Sequence, residues 1–182
     1  MLPHIFKEKW DVKKDGPLIT LNENKLENTP FSLEVKQFLT VSGLPETPPP
    51  YLEFTALAEP LQPMNQKFNL PEKFQEFWYL GSTGDGYPIC LQEKSEIIMY
   101  LNYDQSGKEV FINSSIHQFA ECLLLYVEMI NKVIEVNGED AYIDNDIPVS
   151  ILAGLKNQFH RVDPKCIQPN HFWYEELEKL SE

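Results

Sequence analysis

Four groups of residues have the types and spacing to suggest chemistry. The first is Gly81-Ser82-Thr83-Gly84-Asp85-Gly86. A glycine-rich loop cradles phosphate when its amides open a helix and a lysine or dinucleotide fingerprint accompanies it. This loop lies between two apparent strands with no Gly-Lys-Ser/Thr after it, so a β-turn using glycine φ angles is the better reading. Asp140, Asp144 and Asp146 form an acidic run, but it lacks the glycine and distal glutamate of an EF-hand loop. A solvated loop and a helix cap account for it. His4, His117, His160 and His171 include no His-x-x-x-His pair, and there is no Cys-x-x-Cys, so no pattern asks for zinc. Finally, Ser114 and Ser115 stand close to His117. A serine nucleophile normally sits in a Gly-x-Ser-x-Gly elbow, which is missing, whereas helix capping explains both serines. No catalytic signature, metal set or cofactor motif emerges, and a non-enzymatic protein is expected.

The element that must position these serines is the strongest feature of the chain. Val110-Phe111-Ile112 is a short β-prone run, and Asn113, Ser114 and Ser115 follow as three possible helix caps. From Ile116 to Val136 apolar residues recur at helical spacing in two adjacent stripes, one through Phe119, Leu123, Val127 and Ile130, the other through Cys122, Tyr126, Met129 and Val136. Two stripes predict a helix covered on more than one side, with Glu121, Glu128, Asn131 and Lys132 left to water. Asn137-Gly138 supplies the stop.

Before this junction, short strands are expected at 51–57, 74–80, 87–92, 97–101 and 109–112, with Gly81 closing the second and a turn at 102–107. Their close spacing leaves no room for crossover helices and implies antiparallel pairing. Residues 1–30 are weakly patterned: Ile5, Phe6, Trp10 and Val12 suit a small helix or turn, and Leu18–Leu21 a short strand. A helix from Leu33 to Val41, capped by Thr29 or Ser32, should end at Gly43-Leu44-Pro45. Pro48-Pro49-Pro50 is a stiff connector, and the segment 59–71, with three prolines, an irregular excursion over the surface. After the acidic loop 138–146, Asp146 is expected to cap a helix carrying Ile151, Leu152, Leu155 and Phe159 and stopped by Pro164. Asn170 is expected to cap a last helix with Phe172, Trp173 and Leu177. The fold class is α+β: a curved antiparallel sheet flanked by helices, with a long helix after the last strand and two C-terminal helices.

The 182 residues suit a single domain spanning 1–182, with a sizeable core. The 28 acidic residues against 15 basic ones give a net charge of −13, which disfavours nucleic-acid and anionic-membrane surfaces and suits a basic partner. Cys90, Cys122 and Cys166 are distant, odd in number and in apolar surroundings, so they read as buried free thiols of a reducing compartment. With no signal-like N-terminus and no apolar stretch of membrane length, a cytoplasmic protein is expected.

Three motifs in order, Gly43-Leu44-Pro45, Tyr79-Leu80-Gly81 with Gly84-Asp85-Gly86, and Asn113-Ser114-Ser115, resemble the SUKH superfamily. The likeness is greatest to its bacterial immunity proteins and covers roughly residues 30–136; the segment 46–74, the first 30 residues and the last two helices lie outside it. The resemblance implies a curved antiparallel sheet with flanking helices and a role in neutralising toxins, often nucleases or deaminases. An intracellular regulator or scaffold, as in eukaryotic relatives linked to cell-wall signalling, is the alternative. The shared residues Gly43, Leu44, Pro45, Gly81, Gly84, Gly86, Asn113, Ser114 and Ser115 are turn and cap positions, so they speak for the fold. For a cognate, basic toxin the candidate contacts are two acidic sets: Asp85, Glu93, Glu96, Asp104 and Glu109 at strand ends around a concave sheet face, and Glu139, Asp140 and Asp144 in the loop after the long helix.

Overall fold

The computed structural model describes residues 1–55 and 59–181. Its centre is a five-stranded antiparallel meander in chain order: β3 (Leu52–Glu53), β4 (Phe77–Thr83), β5 (Pro88–Gln92), β6 (Ile98–Asn102) and β7 (Lys108–Asn113). A separate two-stranded ribbon pairs β1 (Leu18–Ile19) with β2 (Leu44–Pro45). Around these lie α1 (Pro3–Lys9), α2 (Leu33–Val41), α3 (Met64–Lys67), α4 (Ile116–Asn137), α5 (Val149–Val162) and α6 (Phe172–Lys179). The α+β architecture expected from the strand spacing is the one observed. β3 is shorter than the expected strand, and positions 56 and 57 of that expectation fall outside the described residues.

β7 runs into α4 through Ser114 and Ser115, as the apolar periodicity requires. Ile116, Phe119, Cys122, Leu123, Tyr126 and Met129 are all buried, on more than one side of the helix. α4 packs against β7, α1, α2 and α5. Glu128 and Lys132 lie on the polar strip, joined at 2.7 Å. Val136, placed by its spacing in the second stripe, is 65% exposed, whereas Val133, one turn earlier, is fully buried.

Both faces of the sheet are covered. Trp78, Leu80, Ile89, Leu91, Ile98 and Ile112 join α4 in the main core, which extends from Phe6 to Leu177. Cys90, Met99 and Leu101 belong to a second cluster with Met64 and Phe74. Part of the proline-broken segment is therefore no simple surface excursion. Its prolines prevent a long element, but α3 forms between them, and Met64 is fully buried against the sheet. The sheet face expected to stand open to a partner is covered by this segment in its central strands.

Four local expectations are corrected. Gly81 does not close β4; it lies inside the strand, paired with Ile89 just past a bulge at Leu80. A Cβ there would lie 2.2 Å from the Glu53 carbonyl oxygen, so glycine lets β3 approach. Phe74 precedes the strand in a 3-10 turn. Asp146 does not cap α5, whose N-cap is Pro148 with no side-chain bond, and proline's fixed φ opens that helix unaided. Asn170 does not cap α6 either; it takes φ 66° in the preceding turn and His171 is the N-cap. By contrast Ser32 caps α2 through the Val35 amide at 3.3 Å. Gly43 ends that helix with φ 68°, in a spot where a Cβ would meet the Ile19 carbonyl oxygen at 2.0 Å.

Candidate functional site

The Asn113-Ser114-Ser115 motif divides its labour. Ser115 is the cap of α4, its Oγ accepting the Gln118 amide at 3.3 Å. Asn113 is fully buried and faces elsewhere: its Oδ1 accepts the Trp173 indole N–H at 2.8 Å and its Nδ2 donates to Asp163 Oδ2 at 3.1 Å. Ser114 donates to the same carboxylate twice, from its amide at 2.7 Å and its hydroxyl at 3.0 Å. The Lys165 amide adds a fourth donor at 3.3 Å. Asp163, 1% exposed, thereby has its lone pairs occupied, which is what permits a carboxylate to be buried there. The joint binds the end of β7 to the start of α4, the end of α5 and the start of α6. Asp163 and Trp173 were not legible as its members, since both lie some fifty residues or more beyond the motif.

This geometry does not assemble a serine nucleophile. The Ser114 hydroxyl is directed at Asp163 and that of Ser115 at Gln118 Oε1, while His117 Nδ1 lies 2.7 Å from the Met1 carbonyl oxygen. Among the described residues no group of three His, Cys, Asp or Glu side chains could hold a metal ion. The Gly84–Gly86 stretch is the expected hairpin turn: the Gly86 amide bonds the Thr83 carbonyl at 2.8 Å, with Gly86 at φ 81°. Cys90, Cys122 and Cys166 are free and buried. Burial pushes the Cys90 and Cys122 thiols upward, away from the reactive thiolate.

The strand-end acids do not share one rim. Asp85 in the β4–β5 turn and Asp104 in the β6–β7 connection stand at one end of the meander, and Glu109 lies nearby, opposite Leu101. Glu93 and Glu96 are at the other end, where they do local work. Glu93 accepts the Trp78 indole N–H at 3.2 Å, and Glu96 accepts the Ser32 amide at 2.6 Å and hydroxyl at 2.9 Å. Glu139, Asp140 and Asp144 are exposed in the α4–α5 loop, whose Asn145 donates to the Lys179 carbonyl at 3.4 Å on the Asp85 side.

At the Asp85 end there is a cleft of about 360 Å³, to which α6 contributes Phe172, Glu175 and Glu176. Tyr87 and Tyr100 stack there at 5.7 Å with a 10° angle between rings, and Phe172 meets Tyr100 edge-on. Tyr51, 81% exposed at φ 53°, stands over the other side. The Tyr87 hydroxyl donates to Asp104, which pushes its phenol up to about 12. Burial raises the Tyr100 phenol, with further increments from Glu176, Glu175 and Asp85. Burial likewise raises the Glu176 carboxyl against the pull of Lys179, aided by Asp85 and Glu175. Burial and the Asp104 hydrogen bond lead these shifts, and the neighbouring acids add to each of them. Nothing local in the sequence placed the two glutamates of α6 beside the β4–β5 turn, because tertiary packing alone brings them there.

A β-meander feeding a long helix, fastened by a buried polar joint to the C-terminal helix, makes up the α+β domain. The family model described as SUKH-4 immunity protein matches residues 12–179. The chain belongs to that family, and so to the general class of immunity proteins that bind toxins. The match also takes in the excursion 59–71 and the last two helices, which the motif resemblance left out. No curated protein and no solved structure shows a significant match to the chain.

Proposed function

We propose that the chain is a non-catalytic immunity protein that neutralises a cognate bacterial toxin, a nuclease or deaminase with a basic surface, by binding it. Membership of the SUKH-4 family carries this reading. The acid excess supports the basic partner: 28 acidic residues stand against 15 basic ones, a net charge of −13. A negative surface of this kind steers a basic protein towards it and speeds association. The protein acts as one domain in the cytoplasm, where its thiols stay reduced, and needs no cofactor. It takes neither nucleic acid nor membrane as partner; no helix among the described residues is long and apolar enough to cross a bilayer.

The test is co-expression with the toxin encoded beside its gene. The chain should restore growth, and the purified pair should associate more slowly as salt rises. Growth that stays arrested with soluble, folded protein present would refute the reading.

A further inference from the structure

The cleft at the Asp85 end differs from an ordinary acidic surface in having aromatic walls and a second depression beside it. That neighbour, about 440 Å³, is lined by Pro48, Pro49, Leu52 and Tyr142 with one acid, Glu53, and shares Pro50, Tyr51 and Gly84 with the cleft. Tyr51 is the partition. Gly84 makes room for it: a Cβ on Gly84 would lie 2.8 Å from the Tyr51 Cβ. On one side of the partition are tyrosine faces and carboxylates; on the other, proline and leucine carbon.

Resting on the immunity reading, we infer that these two depressions are the toxin-docking surface, and that they receive an arginine with an adjacent apolar residue from a protruding toxin segment. The charge arrangement selects a cation. The cleft holds one lysine, Lys179, already paired with Glu176, against Asp85, Glu175 and Glu176. Arginine fits better than lysine because its planar guanidinium stacks on an aromatic face while its fork of donors meets carboxylates. Tyr51 and Tyr87 offer such faces, with Asp85 in the turn between them and Glu175 across the cleft. Burial is the main cause of the raised Glu176 carboxyl, with Asp85 and Glu175 adding to it, and a guanidinium set among these acids would offset their mutual repulsion. The neighbouring depression is mostly carbon, with Glu53 as its one acid, and suits the adjacent carbon side chain. The tyrosine partition accounts for both halves, being amphipathic and having only two side-chain torsions to order, as binding surfaces favour.

Two measurements test this separately from the immunity reading. In the first, the peptide N-acetyl-Gly-Arg-Leu-Gly-amide is titrated into labelled protein and amide shifts are followed. Changes should gather at Tyr51, Asp85–Tyr87 and Glu175–Lys179, and fall by about tenfold in affinity with lysine in place of arginine. Shifts centred elsewhere, equal for the lysine peptide, or absent, overturn the proposal. In the second, Asp85→Lys/Glu175→Lys is compared with Glu23→Lys/Glu34→Lys, which makes the same change in net charge on exposed residues far from the cleft. The cleft pair should weaken capture of the neighbouring toxin by about tenfold or more, and the control pair only modestly. Tyr51→Ala, which alters no charge, should also weaken it. If both cleft variants neutralise as well as wild type, or if only reversal of Glu139, Asp140 and Asp144 matters, the cleft is not the docking surface although the immunity reading stands. If wild-type protein itself gives no protection, the immunity reading falls and the docking proposal with it.

Discussion

Replacing Asn113 by Ala should be among the most damaging single changes in the protein, far beyond its cost as a turn residue. Three losses combine. The Trp173 indole N–H, bonded at 2.8 Å in a fully buried site, is left without an acceptor. Orphaning a buried donor costs about 1–3 kcal/mol. Asp163 loses one of its four donors, the 3.1 Å bond from Nδ2. A hydrogen bond to a charged group is worth about 1.5–3 kcal/mol. The missing carboxamide also leaves a void among Cys122, Asp163 and Trp173. Allowing for partial relaxation, the sum is about 3–5 kcal/mol, a large share of the roughly 5–15 kcal/mol that holds a domain folded.

At about 2–4 °C per kcal/mol for a chain of this size, the melting temperature should fall by roughly 6–20 °C. Urea unfolding followed by circular dichroism measures the free energy directly. Ser115→Ala removes only the α4 cap and should cost about 0.5–2 kcal/mol. The Trp173 contribution is isolated by a double-mutant cycle with Trp173→Phe, which removes the indole N–H. In that background Asn113→Ala should cost about 1 kcal/mol less. If Asn113→Ala proves no worse than Ser115→Ala, or the cycle shows no coupling, the joint is not the lock described here.

Three further outcomes are expected. Gly43→Ala should destabilise the protein by more than about 1 kcal/mol in urea unfolding, because φ is 68° there and the Ile19 carbonyl occupies the Cβ position; a neutral result would contradict that geometry. Glu176→Gln should raise the melting temperature at pH 7. The folded-state carboxyl lies above its ordinary 4.5, so between the ordinary and raised values the folded state holds the proton more tightly, and stability falls as pH rises through that window. Glutamine should flatten this part of the pH profile at the expense of the Lys179 pair, whose lysine is 65% exposed and contributes little; an unchanged profile with a lower melting temperature would reverse the assignment. Ellman's reagent should leave Cys90, Cys122 and Cys166 unmodified in native protein and label all of them on unfolding, since each is buried; rapid native labelling would refute their burial.

Local signals and long-range assembly were not equally legible in this chain. The junction from β7 to α4 could be read because its causes are local: a β-prone triplet, adjacent capping side chains and apolar residues at helical spacing. The meander was readable for a similar reason, since short connections leave antiparallel pairing as the available solution. The errors also have physical causes. Asp146 and Asn170 look like helix caps by residue type, but proline and a left-handed turn already direct the chain at those points. Gly81 resembles a strand end because glycine usually punctuates, whereas here its missing Cβ is needed for the approach of Glu53. Asn113 is the sharpest instance. Beside two serines it has the composition of a cap, yet its partners are Asp163 and Trp173, brought to it only when α5 and α6 fold back across β7. The cleft is of the same kind: Asp85 carried a local signal as a charged turn residue, while Glu175 and Glu176 joined it through tertiary packing alone. Acid patterning along the chain could therefore nominate Asp85 and Glu93 together, although the meander sends successive turns to opposite ends. For such a sheet, alternate turns are neighbours and adjacent ones are not, so Asp85 belongs with Asp104, and Glu93 with Glu96. Charges grouped by this rule, with the helix that lands beside them, are the sets whose reversal should act together.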